Sequence, residues 1–192
     1  MRQALAQEAA RIMAEHGVRD FLFAKRKAAE RFGVTDHAVL PRNTEIEAAL
    51  VEYQRLFAAD SHGASLEAQR RVALEVMRRL QRFEPRLVGS VLQGTATQHD
   101  DVSLHVFADR IETLTFSLID QGVPFELGEC RLRLDAERLV QQPTVIIEVD
   151  DQPVKLVVFD YDGLRQAPIS KVDGKPMRRA TITELEQLLA QA

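Results

Sequence analysis

Leu87-Val88-Gly89-Ser90, ten further residues, then Asp101-Val102-Ser103-Leu104-His105-Val106 is the stretch on which the reading of this chain turns. Residues 86–92 form a short apolar run that reads as a strand, and the Gly-Ser pair within it predicts a tight turn. There, backbone N–H groups and the Ser90 hydroxyl can face an anion such as phosphate. The loop that follows contains Gly94 and leads into a second apolar run of strand length, Val102–Phe107. Residues i and i+2 of a strand share a face, so Asp101, Ser103 and His105 point the same way. Two carboxylates at such positions bridge divalent cations. Here the pair is one acid, Asp101, and one hydroxyl, Ser103.

Downstream, Asp109-Arg110-Ile111-Glu112 has the spacing of a capping box and predicts a helix closed by Gly122. Two hairpins are expected next. The first covers residues 125–132 and turns at Gly128, since Gly suits the first central position of a type II′ turn. In the second, Val145, Ile147 and Val149 alternate on one arm, Asp150-Asp151-Gln152-Pro153 turns, and residues 154–159 return. The tail at 161–179 carries Arg165, Lys171, Lys175, Arg178 and Arg179 without periodicity, the pattern of a solvated loop. Thr181-Ile182-Thr183-Glu184 then opens a last short helix.

Upstream of the stretch, Pro85 ends a region that reads as helices only. Leu5, Ala9, Ile12 and Met13 recur at helical spacing up to Gly17, and Phe21, Ala24, Ala28 and Phe32 do so up to Gly33. Thr44 and Glu47 are spaced as a capping box for a third helix with Ile46, Leu50, Tyr53 and Phe57 inward. The small polar run Ala59-Asp60-Ser61-His62-Gly63-Ala64-Ser65 predicts a boundary. A fourth helix then buries Leu66, Ala73, Val76, Met77, Leu80 and Phe83 and runs to about Glu84. The expected organisation is a helical region at 1–60 and a second domain at 61–192. The fold class is α+β, a mixed sheet with helices preceded by an all-helical N-terminal region.

Strand, Gly-Ser, loop, Asp-containing strand, helix and hairpin in this order resemble the polymerase-β-type nucleotidyltransferase superfamily, which includes kanamycin nucleotidyltransferases and the small antitoxin-type transferases. Val88, Gly89, Ser90, Gly94, Asp101, Val102 and Leu104 match that pattern. The resemblance covers roughly residues 85–160 and implies a nucleotidyltransferase-like sheet. It also implies a site in which three carboxylates hold two magnesium ions against a nucleoside triphosphate. Asp101 is the one such acid retained: Ser103 replaces the second, and Lys155, in Val154-Lys155-Leu156-Val157-Val158, falls where the third is expected.

The expected function is therefore a nucleotide-, phosphate- or protein-binding module with an incomplete metal site. Gly89, Ser90, Ser103 and Lys155 would face phosphate, and Asp101 would be at most a weak metal ligand. Lys155 would then be a fixed cation in place of a metal, against the plainer reading of a lysine whose ammonium reaches water. The alternative is an active, Mg2+-dependent transferase that recruits Glu148, Asp160 or Asp162; otherwise no cofactor is implied. A third reading takes Lys25-Arg26-Lys27-Ala28-Ala29-Glu30-Arg31-Phe32-Gly33-Val34 as the start of a helix-turn-helix DNA reader, its recognition helix running from Thr35 until Pro41 cuts it.

Composition narrows these options. A net charge of −4 opposes a dedicated nucleic-acid binder. No long apolar run predicts a membrane span or signal peptide, so a cytoplasmic protein is expected. The one cysteine, Cys130, alternates with Leu132 and Leu134 and reads as a core thiol. His99 and His105 flank the Asp101 strand, and each reads as a surface or packing histidine.

Overall fold

The computed structural model describes residues 1–57, 59–135 and 137–191, with side chains except at 37 and 57–62. Within them the chain forms helices α1 (Arg2–His16), α2 (Phe21–Phe32), α3 (Asn43–Phe57) and α4 (Ala59–Arg79), then β1 (Arg86–Val88), α5 (Gly89–Gln93), β2 (Val102–Phe107) and α6 (Ile111–Asp120). Strands β3 (Glu126–Arg133), β4 (Leu139–Val149) and β5 (Gln152–Phe159) and helix α7 (Ile182–Ala190) follow. The chain divides into two compact units. One comprises Met1–Leu66, Gly94–Asp100 and Lys171–Asp173, and the other Glu67–Gln93, Asp101–Ser170 and Gly174–Ala192. The polar run expected to be a boundary is helical, because it forms the first turns of α4. A helix tolerates small polar residues when the rest of its length is fixed by packing.

In the first unit, α1 packs against α2 and α3 through Leu5, Ala9, Ala10, Ile12 and Met13, which meet Ala24 and Ala28 of α2 and Ile46 and Leu50 of α3. The many alanines in this contact let the helix axes approach closely. Gly17 and Gly33 adopt the left-handed conformation at the ends of α1 and α2, and the Asp20 carboxylate caps the start of α2. Phe32 departs from its expected inward stripe and is 44% exposed. The Tyr53 hydroxyl donates to Glu15 instead of being buried, and the Phe57 side chain lies outside the described residues. The carboxylate that reaches back at the start of α3 is Glu45, onto the Arg42 N–H, so the reciprocal pair expected from Thr44 and Glu47 is displaced. After Gly33 the chain makes only a three-residue 3-10 turn, His37–Val39, before α3 begins at Asn43. The recognition helix expected from Thr35 is not formed.

The second unit holds a five-stranded mixed sheet in the order β1-β2-β5-β4-β3, in which only β2 and β5 are parallel. One face carries Leu87, Val102, Leu104, Val106, Val145, Ile147, Val154, Leu156 and Val158, all buried. The same unit buries Val76, Met77 and Leu80 from α4 and the residue after it, Leu114 and Leu118 from α6, and Leu185 from α7. On the opposite face a smaller cluster joins Phe107, Val157 and Phe159 to the half-buried Cys130 and Leu132. Asp150 and Asp151, both with positive φ, form the two-residue turn between β4 and β5.

Three local elements differ from what their sequence predicts. The run at 86–92 is not one strand: the chain leaves β1 at Gly89, whose φ of 75° only glycine adopts without strain. Gly128 is not a turn but lies within β3 opposite Thr144, where a Cβ would come within 3.0 Å of the Thr144 hydroxyl. The first hairpin turns instead after Leu134, with the Asp135 carboxylate accepting the Glu137 and Arg138 N–H groups. Helix α6 starts from Arg110 with no side-chain cap, so the pairing expected from Asp109 and Glu112 is absent. The box at Thr181 and Glu184 does form and starts α7.

Candidate functional site

The two strands of the opening stretch lie side by side and antiparallel, with Val88 opposite Ser103. Strand β5 enters on the other side of β2 in parallel register, with Lys155 opposite Ser103. Val88, Ser103, Lys155 and Ile146 of β4 therefore form one row across the sheet and share a face. Gly89 stands at the end of that row: a Cβ built on it would sit 4.0 Å from the Ser103 Cβ. Asp101 is half-buried immediately before β2. Gly89, Ser103 and Lys155 are thus neighbours; Ser90 follows Gly89, and Asp101 lies two residues before Ser103. Lys155 is half-buried, and among the described residues its ammonium has no carboxylate partner.

The helix that begins at Gly89 has five residues. So short a helix adds little macrodipole, and the anion attraction expected from it is reduced to the local N–H groups and the Ser90 hydroxyl. The other acids named from sequence are dispersed. Glu148 is exposed on β4 opposite Pro153, and Asp162 is exposed in the turn after β5. Asp160 lies at the far end of β5, where its carboxylate caps that turn through the Gly163 N–H. Among the described residues no three His, Cys, Asp or Glu side chains come together in a group that could hold a metal ion.

Further along the Ser103 face lies a group whose members the sequence showed only separately, His105 as a packing histidine and Arg179 in a solvated tail. His105 is 1% exposed, and its ring packs against Phe159 with centroids 4.7 Å apart. Arg179 Nε donates to His105 Nδ1 at 3.0 Å, which makes Nδ1 the unprotonated nitrogen. Arg179 Nη1 donates to the Gly163 carbonyl at 2.6 Å, and the guanidinium lies 5.2 Å from the ring centres of both Phe107 and Phe159. A Cβ on Gly163 would fall 2.8 Å from the Phe159 Cβ, so only glycine brings that carbonyl within reach. The backbone places Arg179 through a pair of hydrogen bonds between Ala180 and Leu87, which add the tail to the outer edge of β1.

Burial, reinforced by the adjacent Arg179 charge, pushes the His105 pKa down to about 3, so the ring is neutral at ordinary pH. Burial, with Arg86 nearby, lowers Arg179 to about 10, which leaves it charged. Its Nη2 is buried and has no hydrogen-bond partner. The rest of the basic tail behaves as its sequence suggested, with Arg165, Lys171, Lys175 and Arg178 exposed. His99 is exposed too. The one signal that marked His105 beforehand was its parity with Asp101 and Ser103; nothing in the sequence linked it to a residue 74 positions away.

No family model and no curated protein matches the chain. Among the described residues no helix is long and apolar enough to cross a membrane.

Proposed function

We propose that the sheet-bearing unit is a nucleotidyltransferase-like module that binds a phosphate-bearing ligand without a metal ion, through Lys155 together with Ser103, Gly89 and Ser90. The observation that carries this reading is the pairing of Lys155 with Ser103, where a metal-binding site would need acids. An ammonium about 4 Å from a unit positive charge is repelled by about 4 kcal/mol at an effective dielectric near 20, and about twice that for a divalent ion. The same ammonium attracts a phosphate by a similar amount. Asp101 alone can at most cancel that repulsion and leaves no net attraction for two metal ions, so transfer chemistry dependent on them is disfavoured while ligand binding is retained.

The test is calorimetry with a nucleotide panel in the presence of chelator, on the wild type and Lys155→Glu. Binding in chelator that disappears in the variant supports the reading. Binding that requires magnesium overturns it, as does release of pyrophosphate that stops in Asp101→Ala. Binding untouched by Lys155→Glu removes the lysine from the site, and no binding in the wild type leaves the unit as a scaffold for a protein partner.

A further inference from the structure

The tail protects parts of both sheet edges. It adds to the outer edge of β1 through Ala180 and Leu87, and Ile169 donates its N–H to the Arg133 carbonyl at the end of β3. The rest of β3, the last strand in the sheet order, stays open. Across its hairpin the Leu134 N–H donates to the Arg138 carbonyl, whereas the Arg133 carbonyl faces away from β4. Backbone groups alternate in direction along such a strand, so those of Leu127, Glu129 and Arg131 also point outward. Among the described residues nothing bonds to them. Leu127 is 64% exposed, Glu129 and Arg131 are exposed, and the three side chains share one face. An edge of this kind is a template for another strand.

Glu129 and Arg131 decide which strand fits. Among the described residues Arg131 has no acceptor, and the Glu129 carboxylate accepts only from Gln141. Directly across a ladder opposite charges attract and like charges repel. A second copy pairing antiparallel about Glu129 or about Arg131 sets like charges against each other. Centred on Gly128, it sets Glu129 against Leu127 and Arg131 against Phe125. Centred on Cys130, it would match Glu129 with Arg131, but its Leu127 then needs the place beside Arg133 that Ile169 fills. Self-pairing is therefore disfavoured. We infer that the edge at 127–131 receives an extended segment of a different protein, antiparallel to β3. That segment carries an acidic residue opposite Arg131, a basic one opposite Glu129 and an apolar one opposite Leu127, so its chain order is acidic-x-basic-x-apolar. Binding there does not involve Lys155, which lies two strands away.

The probe is the peptide acetyl-Thr-Glu-Thr-Lys-Thr-Leu-Thr-amide, titrated calorimetrically into the full chain. Exchanging its Glu and Lys should weaken binding about tenfold, because two attractive cross-strand pairs become mismatched. The double variant Glu129→Arg with Arg131→Glu should reverse that preference, and both positions are exposed, so the fold is kept. N-methylation of the peptide's Lys, whose N–H would donate to the Glu129 carbonyl, should abolish binding. N-methylation of the Thr before it, whose N–H faces solvent, should not. No binding by the wild type at millimolar peptide overturns the inference, as does a charge preference that the double variant leaves unreversed or an equal loss on methylating either residue. A concentration-dependent dimer in sedimentation that Arg131→Glu disperses also overturns it, by making a second copy the occupant.

Discussion

Replacing His105 by glutamine should flatten the acid side of the stability profile by an amount set by its burial. In the unfolded chain the imidazole takes up a proton near pH 6.5, whereas in the folded protein burial and Arg179 hold its pKa down to about 3. Between those values the unfolded state binds more protons than the folded one, so stability falls as pH falls through that window. At about pH 5, some 1.5 units below the free value, the loss from this group is about 2 kcal/mol, and it approaches a ceiling of about 5 kcal/mol near pH 3. Glutamine keeps an oxygen that accepts from Arg179 but does not titrate. Urea unfolding followed by circular dichroism at about pH 7.5 and about pH 5 measures the effect as a difference between two differences. The wild type should lose about 2 kcal/mol more than His105→Gln on acidification, whatever the carboxylates contribute to both. Equal losses in the two proteins would refute the reasoning. So would an NMR signal of the His105 ring that titrates near its free value in the folded protein.

Three further outcomes follow from the same geometry. Combining Ser103→Asp with Lys155→Asp sets acids beside Asp101 and removes the repelling ammonium, so manganese binding measured by calorimetry should strengthen well beyond the wild type; an unchanged affinity would mean that Asp101 does not face this row. Phe107 is fully buried between β2 and the Arg179 guanidinium, and Phe107→Ala should cost about 3–5 kcal/mol in denaturant unfolding. Thr181→Ala removes the hydroxyl that caps α7 and should lower stability by about 1 kcal/mol, read as a drop in Tm, while phosphate binding is unaffected.

The parts of this fold that were legible in the sequence are those whose signal is local. Val102–Phe107 is a strand because six consecutive residues, four of them apolar, allow little else, and Asp150-Asp151 turns because the arms on either side alternate in phase. Leu5, Ala9, Ile12 and Met13 are buried as their spacing required. The failures lie where distant residues decide. Gly128 reads as a turn until Thr144 is seen across the ladder, and the run at 86–92 reads as one strand until Gly89 turns it. The helix through Ala59-Asp60-Ser61 contradicts local preference, which is a weak guide when one long helix can run through a poor segment. At the candidate site, strand parity was enough to align Ser103 and His105, and the register then brought Lys155 beside Ser103. Arg179 was hidden in a basic tail, since its side chain is aimed by hydrogen bonds between Ala180 and Leu87, far apart in the chain.

The strand order has a consequence for how the protein is made. β5 is the last strand in the chain, yet it lies at the centre of the sheet, with β2 on one side and β4 on the other. As the chain leaves the ribosome, β2 has only the three-residue β1 to pair with until Phe159 has emerged, and its Val-, Leu- and Phe-rich edge waits unpaired. Such an edge invites pairing with another chain. The short turn at Asp150 and Asp151 limits this exposure, because it lets β4 and β5 zip together locally and enter the gap as a finished hairpin. A nascent chain stalled before Gln152 has neither the hairpin nor the central strand, so the interval before that point is when this protein most needs a chaperone.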